Sequence, residues 1–255
     1  MYAEERRQHL VDFARTNGRV EVSVAANSFN VTPETIRRDL ESLDRRGILR
    51  RVHGGAMPTE LLPMGDLTLS VRESSASVEK ESIARAALAL LPTEPGSSVL
   101  FDAGTTTGRL AAILPAETNL VVFTSSLPIA SMLSIRTDCQ VEMLGGRVKG
   151  VTQTCVGAQA LDTLARIRVD VAFLGTNGLS VEHGLSTPDP EESLLKRRMV
   201  ACARKTVVLS DSRKFGAETT SSFASLTDID VLVTESITAT QRAACSERGI
   251  EVVVA

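Results

Sequence analysis

The stretch VTPETIRRDL at residues 31–40 is the part of this chain that most strongly indicates a fold. Thr32 is a good helix N-cap, and Pro33 suits the first helical position, where its missing N–H is not needed. Three apolar residues then recur at helical spacing: Ile36, Leu40 and Leu43. We therefore predict a helix that begins at Pro33, ends near Arg46 and buries one face.

The opposite face of this predicted helix carries Arg38, if residues advance by about 100° each. A guanidinium group there can pair with phosphate oxygens or with guanine O6 and N7. An ordinary amphipathic helix with a solvated charged face would show the same pattern, and short motifs also occur by chance. The segments on either side of the helix favour the DNA-reading interpretation.

These flanking segments complete a small DNA-binding pattern. A first helix is predicted over residues 4–16 and ends at Asn17-Gly18, because both residue types tolerate a left-handed backbone. Residues 20–28 are strand-like at their start, but Ala25-Ala26 favours a second, closely packed helix in their latter half. A basic wing through Gly54-Gly55 follows the third helix. Together they predict a winged helix-turn-helix of about 55 residues.

The charge of the chain changes sign along its length. Residues 1–56 contain ten arginines, no lysine and eight acidic residues, whereas the remainder contains 18 basic and 23 acidic residues. The net charge is therefore +2 in the first part and −5 in the second. This difference indicates a local DNA-binding surface on an otherwise acidic protein.

Length and composition are those of an ordinary globular protein. The 255 residues, 43% hydrophobic and 23% charged, suffice for a small domain and a medium one. The four cysteines show no CxxC spacing, so we expect buried thiols in a reducing cytosol and neither a metal nor a cofactor. The N-terminus is charged, and no apolar run approaches the ~20 residues of a membrane span. We therefore expect a cytoplasmic protein without a membrane partner.

The pattern changes twice after the wing. The stretch around the first change contains Pro58, Pro63 and Gly65, and it predicts an extended connector at 59–75 between a DNA-binding domain at 1–58 and a second domain at 76–255. In the second domain, a helix at 78–91 is followed by short apolar strands that alternate with helices. The strands are predicted at residues 98–102, 120–124, 169–174, 206–210, 229–233 and 250–254. This alternation indicates an α/β domain with a mainly parallel sheet covered on both faces.

Four polar loops follow these strands at the carboxyl edge, where open parallel sheets bind ligands. They contain DAGTTT at 102–107, TSS at 124–126, GTNG at 175–178 and SDSRKFG at 210–216. Hydroxyl groups, helix-terminal N–H groups and lysine can bind phosphate, and asparagine suits sugar hydroxyls. Each loop alone is equally explained as a helix cap or a solvated turn. Their coincidence at one edge predicts a phosphorylated polyhydroxy ligand.

Motifs along nearly the whole chain match one known family. The first part contains RR at 6–7, VTPETIRRDL at 31–40 and RRVHGGA at 50–56. The second part contains EK at 79–80, DAGTT at 102–106, GG at 145–146, Gly157, GTNG at 175–178, GLST at 184–187 and DSRKFG at 211–216. In these motifs the chain resembles the DeoR family of bacterial transcriptional repressors, which includes the glycerol-3-phosphate regulators. The resemblance implies a sugar-phosphate sensor similar to ribose-5-phosphate isomerase and CoA-transferase folds.

The chain departs from these relatives in two loops. The family often shows Thr-Asn-Ser where this chain has TSS at 124–126. The segment 175–178 also lacks the carboxylates of the related isomerase, which needs a base near the substrate carbon. We therefore predict binding without turnover, although Glu191 or Glu192 could supply a carboxylate. The alternative is a sugar-phosphate isomerase-like enzyme with an appended DNA-binding domain.

The resemblance and the helix pattern together predict two sets of contact residues. The predicted DNA contacts are Thr32, Thr35, Arg37, Arg38, Arg50, Arg51 and His53. Asp39 lies closer to the buried stripe, so we expect it to hold an arginine in place instead. The predicted effector contacts are Asp102, Gly104, Thr105, Thr106, Thr124, Ser125, Ser126, Gly175, Asn177, Gly178 and Lys214. Lys196 can reach the same cleft or pair with Glu192.

The expected partners follow from the same interpretation. They are double-stranded operator DNA of a sugar uptake or catabolism operon and a phosphorylated sugar, fructose 1-phosphate or a similar compound. A single winged module buries little surface and binds specific DNA weakly. We therefore expect a homodimer or a tetramer that assembles through the second domain.

Overall fold

The chain is described by a computed structural model that covers residues 3–46, 48–52, 54–58, 73 and 75–255. It forms two compact units, Met1–Ser75 and Ala76–Ala255. The predicted connector at 59–75 lies almost wholly outside the described residues, so the domain boundaries stay predictions. Within the described part, no helix is long and apolar enough to cross a membrane.

The first unit is a winged helix-turn-helix, which confirms the prediction for this part of the fold. Its elements are α1 (Ala3–Asn17), β1 (Val20–Glu21), α2 (Val22–Phe29), α3 (Pro33–Arg45), β2 (Leu49–Val52) and β3 (Gly55–Pro58). The strands form an antiparallel sheet in the order β1-β3-β2. Asn30, with a left-handed φ of 52°, ends α2 and turns the chain towards α3.

The boundary between β1 and α2 depends on a contact from the wing. Val20 and Glu21 pair with Ala56 and Gly55, and α2 begins at once with Val22. The strand-like start of this segment is therefore a real, two-residue strand. Gly55 is required at this crossing because a Cβ atom there would lie only 2.0 Å from the carbonyl oxygen of Val20.

The second unit alternates strands and helices. Its first half contains α4 (Ser77–Ala87), β4 (Ser98–Phe101), α5 (Thr105–Ala112), β5 (Leu120–Thr124), α6 (Leu127–Leu133), β6 (Cys139–Met143), β7 (Arg147–Lys149), β8 (Thr154–Val156) and α7 (Ala158–Arg166). Its second half contains β9 (Val169–Gly175), β10 (Gly178–Ser180), β11 (Gly184–Thr187), α8 (Pro190–Cys202), β12 (Ala203–Leu209), β13 (Ser221–Ala224), β14 (Val231–Thr234), α9 (Ala239–Ser246) and β15 (Glu251–Val254). Short 3₁₀ turns lie at Leu88–Leu90, Ser212–Lys214 and Leu226–Asp228.

A seven-stranded sheet with the order β15-β14-β12-β9-β4-β5-β6 forms the centre of this unit. Every neighbouring pair in it is parallel, which confirms the predicted sheet. The sequence did not predict β6, because this edge strand is mostly exposed and has no continuous apolar run. The pair β7-β8 and the small antiparallel sheet β10-β11-β13 were not predicted either.

Alternate residues of the central strands enter two separate cores, one on each face of the sheet. Leu100, Ala172 and Val208 belong to one core. Phe101 and Phe173 belong to the other, with their rings stacked 5.4 Å apart. A sheet that is buried on both faces explains why its strands read as continuous apolar runs.

Two predicted helix boundaries are corrected by the structure. The sequence predicts a polar loop at 102–107, but the helix after β4 already begins at Thr105, so the threonines of that stretch form its first turn. The helix predicted at 78–91 ends at Ala87 and continues as a 3₁₀ turn to Leu90. Leu91 is extended because the following proline disfavours helical backbone before it.

Candidate functional site

Helix α3 presents a polar face to solvent and an apolar face to the core of its unit. Ile36, Leu40 and Leu43 are fully buried, as the spacing predicts. On the opposite face the Arg38 side chain is 79% exposed, and Arg37 is also exposed. Two guanidinium groups are therefore accessible on one face of this helix.

Thr32 and Thr35 form the N-terminal cap of α3. The Oγ1 atom of Thr32 accepts a hydrogen bond from the backbone N–H of Thr35 at 3.3 Å, and the two hydroxyl oxygens lie 2.9 Å apart. A cap of this kind contributes about 1 kcal/mol to helix stability. Both residues thus have a structural role, and their predicted DNA contacts stay predictions.

Asp39 binds two arginines of α1, which bears out the expectation that it orders a guanidinium group. Its Oδ2 accepts from Arg6 Nε at 2.6 Å, and its Oδ1 accepts from Arg7 Nε at 3.1 Å. Only 3% of the Asp39 side chain is exposed. The sequence did not identify Arg6 and Arg7 as its partners, since more than 30 residues separate them along the chain.

The wing presents further arginines. Arg50 and Arg51 on β2 are exposed, and both are contacted by Asp44, which lies near the carboxyl end of α3. Its Oδ1 accepts from the backbone N–H of Arg51 at 3.3 Å and lies 3.9 Å from Arg50 Nη1. His53 lies outside the described residues.

In the second unit, the four predicted loops begin side by side. In the central sheet, β5 pairs with one edge of β4, and β9, which comes later in the chain, pairs with the other edge. The strand order therefore reverses between β4 and β9. Phe101 at the end of β4 is level with Thr124 on β5, and Leu209 on β12 is level with Gly175 on β9. A crevice at such a reversal is the usual ligand position in open parallel sheets.

A buried ion pair connects the loops after β4 and β9. Asp102 Oδ2 accepts from the backbone N–H of Gly175 at 3.1 Å and pairs directly with Lys196 Nζ. Lys196 also donates to the carbonyl oxygen of Gly175 at 2.9 Å and lies 5.5 Å from the centre of the Phe223 ring. The sequence left two positions open for Lys196, the cleft or a pair with Glu192. The structure places its ammonium group in the cleft.

The loop after β4 leads into the first turn of α5. Gly104 is the N-cap, and Thr105 and Thr106 are the first two helical residues. Thr107 Oγ1 accepts from the N–H of Gly104 at 2.9 Å and lies 2.7 Å from the carbonyl oxygen of Asp102. This network fixes the loop, and the N–H groups of the first helical turn lie beside Asp102.

The three hydroxyl residues at the carboxyl end of β5, of which Thr124 is the last residue of the strand, are in different environments. Thr124 Oγ1 donates to the carbonyl of Phe101 at 2.7 Å, and Ser126 Oγ accepts from the N–H of Ile129 at 3.3 Å as the cap of α6. Ser125 Oγ is buried and has no hydrogen-bond partner among the described residues. A buried hydroxyl in this state is costly, so Ser125 is the member of this loop that best suits a ligand.

The loop after β9 is bound by Lys214. The Lys214 Nζ atom donates to the carbonyl oxygen of Thr176 at 2.7 Å. Asn177 is buried next to it, and its backbone N–H donates to Ser186. Gly178 is packed so closely that a Cβ atom would lie 2.4 Å from the carbonyl oxygen of Ala217. Packing therefore explains Gly178 without reference to a ligand.

Asp211 completes the polar surroundings of Lys214. The Lys214 Nζ atom lies 3.7 Å from Asp211 Oδ2, which is buried without a hydrogen-bond partner in the described part of the chain. Burial raises the pKa of the Asp211 carboxyl, but nearby positive charges outweigh this effect and hold the pKa below its ordinary value. These charges belong to Lys214, Arg213 and Lys80.

The two carboxylates considered for isomerase chemistry are both paired with the β7-β8 hairpin. Arg147 Nη2 lies 2.7 Å from Glu191 Oε2. Thr152 Oγ1 donates to Glu192 Oε1 at 2.8 Å, and Lys149 Nζ lies 3.6 Å from the same oxygen. Neither carboxylate therefore stands ready as a general base in this conformation.

The described residues contain no cluster of histidine, cysteine and carboxylate side chains suited to a metal ion. Cys155, Cys202 and Cys245 are buried thiols, and Cys139 is partly exposed. Burial raises the pKa of Cys202 to about 11. This thiol is therefore protonated at neutral pH.

Relatives of this chain carry the names of transcriptional regulators. An uncharacterized HTH-type transcriptional regulator FruR of Bacillus subtilis is 36% identical over 92% of this chain and 92% of its own length. The HTH-type transcriptional regulator GlpR of Haloferax volcanii is 34% identical over 99% and 98% of the two chains. The glycerol-3-phosphate regulon repressor of Escherichia coli is 29% identical over 92% of each. These relatives support the regulator interpretation and not the isomerase alternative.

Solved structures and family models give two further comparisons. Ribose 5-phosphate isomerase A from Methanocaldococcus jannaschii is 18% identical, with a TM-score of 0.40 over 55% of each chain. The model of the DeoR-like helix-turn-helix domain matches residues 6–60, and that of the DeoR C-terminal sensor domain matches residues 75–236. The sensor model alone covers more than half of the sequence, and the chain therefore belongs to the DeoR family of transcriptional regulators.

Proposed function

We propose that this regulator represses a sugar uptake or catabolism operon, and that a phosphorylated sugar releases it from its operator or tunes its binding there. Fructose 1-phosphate or a similar compound is the proposed effector. The observation that carries the proposal is that four polar loops begin where the strand order reverses, with Lys196 and Lys214 bound to backbone carbonyls of the loop after β9. The E. coli relative named for the glycerol-3-phosphate regulon supports a phosphorylated effector.

The DNA half of the proposal concerns the exposed face of α3. This helix enters the major groove, where Thr35, Arg37 and Arg38 contact bases or phosphates and Thr32 lies at the entry. The wing residues Arg50, Arg51 and His53 contact the backbone or the minor groove. The regulator acts in the cytoplasm as a homodimer or tetramer, because two winged units must bind two half-sites together to reach specific affinity.

Arg38→Ala is expected to weaken binding to the operator by roughly 5- to 150-fold, the range for one lost base contact. Folding should not change, because the Arg38 side chain is 79% exposed and its ion pair with Glu34 spans 3.7 Å. Gel shifts with a duplex selected by the wild-type protein measure the change. Arg85→Ala is the matched control, since Arg85 is an exposed helical arginine that pairs with Glu81 in the second unit. Unchanged affinity of Arg38→Ala would contradict the role of α3.

The effector half of the proposal assigns contacts to the loop residues. Phosphate binds the first-turn N–H groups of α5, the hydroxyls of Thr105 and Thr106, and the side chains of Ser126 and Lys214. Asp102 and Asn177 bind sugar hydroxyls, with Gly104, Thr124, Ser125, Gly175 and Gly178 shaping the site. The orphaned Oγ of Ser125 supports this map, because a ligand oxygen would satisfy it.

A thermal-shift screen against sugar phosphates and the matching free sugars tests this half. A ligand at about 100 times its Kd adds roughly 2.7 kcal/mol of stability. We expect one sugar phosphate to raise the melting temperature, its free sugar to leave it unchanged, and Lys214→Ala to lose the rise. Lys205→Ala, in the amino-terminal half of the strand β12 that precedes the Lys214 turn, should keep it. A rise that survives Lys214→Ala, or no rise with any phosphate, would refute the map.

A further inference from the structure

The first turn of α3 contains one acidic residue, Glu34, which is followed one turn later by the two exposed arginines Arg37 and Arg38. The Glu34 side chain is 60% exposed, and it lies between the two arginines of the same face. Its Oε2 atom is 3.4 Å from Arg37 Nη1, and its Oε1 atom is 3.7 Å from Arg38 Nε. A recognition helix inserts its N-terminal residues most deeply into the major groove, so this carboxylate lies where base edges are read.

A carboxylate in the major groove has few possible partners. It only accepts hydrogen bonds, and the donors that base edges offer there are the amino groups of cytosine N4 and adenine N6. Adenine also presents the acceptor N7 beside its amino group, which repels a carboxylate, whereas cytosine has no acceptor on its own ring next to N4. The backbone phosphates repel Glu34 as well.

We propose that Glu34 is a specificity-determining residue that selects cytosine at the base opposite the first turn of α3. The proposal rests on the proposed role of α3 as the recognition helix. In free protein the carboxylate pairs with Arg37 and Arg38 and holds both guanidinium groups on the exposed face. On DNA these arginines exchange Glu34 for phosphates or guanine, and the released carboxylate accepts from cytosine N4.

If Glu34 has only an electrostatic role, its replacement should change DNA affinity but not base preference. Acidic residues in a first helical turn stabilise the helix, and exposed ion pairs contribute little. If Glu34 acted only through its charge, neutralising it would strengthen binding to every duplex by the same factor. Base selection therefore has to be measured separately from overall affinity.

The experiment uses the full chain as wild type, Glu34→Gln and Asp12→Asn. Asp12 is an exposed acid on α1 that accepts from Gln8, so its variant changes the charge of the unit equally without altering α3. Each protein selects duplexes from a random pool, and gel shifts then compare four duplexes that differ at one selected base pair. Circular dichroism checks that each variant is folded.

We expect wild type and Asp12→Asn to prefer cytosine at one position by about fivefold or more, the lower range for a base contact. Glu34→Gln should change this preference to adenine, because a carboxamide can pair with both N6 and N7. The same selected sequence for Glu34→Gln and wild type would overturn the proposal, even with a uniform gain in affinity. A wild type that selects no duplex, together with unchanged DNA affinity in Arg38→Ala, would refute the assignment of α3 as the recognition helix. The proposed role of Glu34 would then be refuted as well.

Discussion

Replacing Asp39 with alanine is expected to remove about 3–5 kcal/mol from the stability of the first unit. The change leaves the guanidinium groups of Arg6 and Arg7 without the carboxylate that binds both of them. The Arg6 side chain is only 10% exposed, so water replaces the lost partner poorly. A single core in a unit of this size supplies only a few kcal/mol, so Asp39→Ala should unfold it or nearly so.

Thermal unfolding followed by circular dichroism measures this loss, together with DNA binding at a temperature where the wild type is folded. We expect the transition of the first unit to shift down or disappear and operator binding to disappear with it. Asp12→Ala on α1 is the control, because Asp12 is exposed and its change should cost less than about 0.5 kcal/mol. Wild-type stability in Asp39→Ala would show that the two arginines find other partners.

The second large effect is expected at Lys196. Lys196→Met leaves the Asp102 carboxylate buried beside Gly175 without its cation, and breaking such a pair costs about 3–5 kcal/mol. Removing both charges should cost much less stability, because no uncompensated charge then stays buried. The double variant Asp102→Asn/Lys196→Met should therefore be more stable than Lys196→Met alone.

Urea unfolding of wild type, both single variants and the double variant forms a double-mutant cycle for this pair. Lys196→Met should unfold at a lower urea concentration, and the double variant should recover most of the loss. Effector-induced stabilisation should be absent in every variant that lacks Asp102. Equal stability of Lys196→Met and the wild type would contradict a tightly coupled ion pair and with it the described geometry of the cleft.

Local chemistry explains how much of the fold the sequence predicts. Thr32 and Pro33 begin α3 through their own capping and φ preferences, and the stripe at Ile36, Leu40 and Leu43 faces the core because of its spacing alone. The strands buried on both faces likewise appear as apolar runs. The four polar loops could be assigned to one edge because parallel strands all end at the same edge.

Edge strands, and glycines at which two backbone segments approach closely, cannot be predicted from such local preferences. β6 is exposed on one side, so its composition resembles a loop. The first turn of α5 begins at Thr105 because Thr107 caps the N–H of Gly104, a contact that propensities along the sequence do not specify. The required absence of a side chain at Gly55 and Gly178 depends on backbone from distant parts of the chain.

The sequence by itself thus determined the two-part architecture, the exposed arginines of α3 and the sheet edge at which the four polar loops lie. It did so because capping, periodicity and strand polarity act between residues that are close along the chain. Only the tertiary structure decided that Lys196 pairs with Asp102 and not with Glu192, and that Arg6 and Arg7 bind Asp39. Buried ion pairs depend on which distant side chains are desolvated together, and packing of the whole unit sets this.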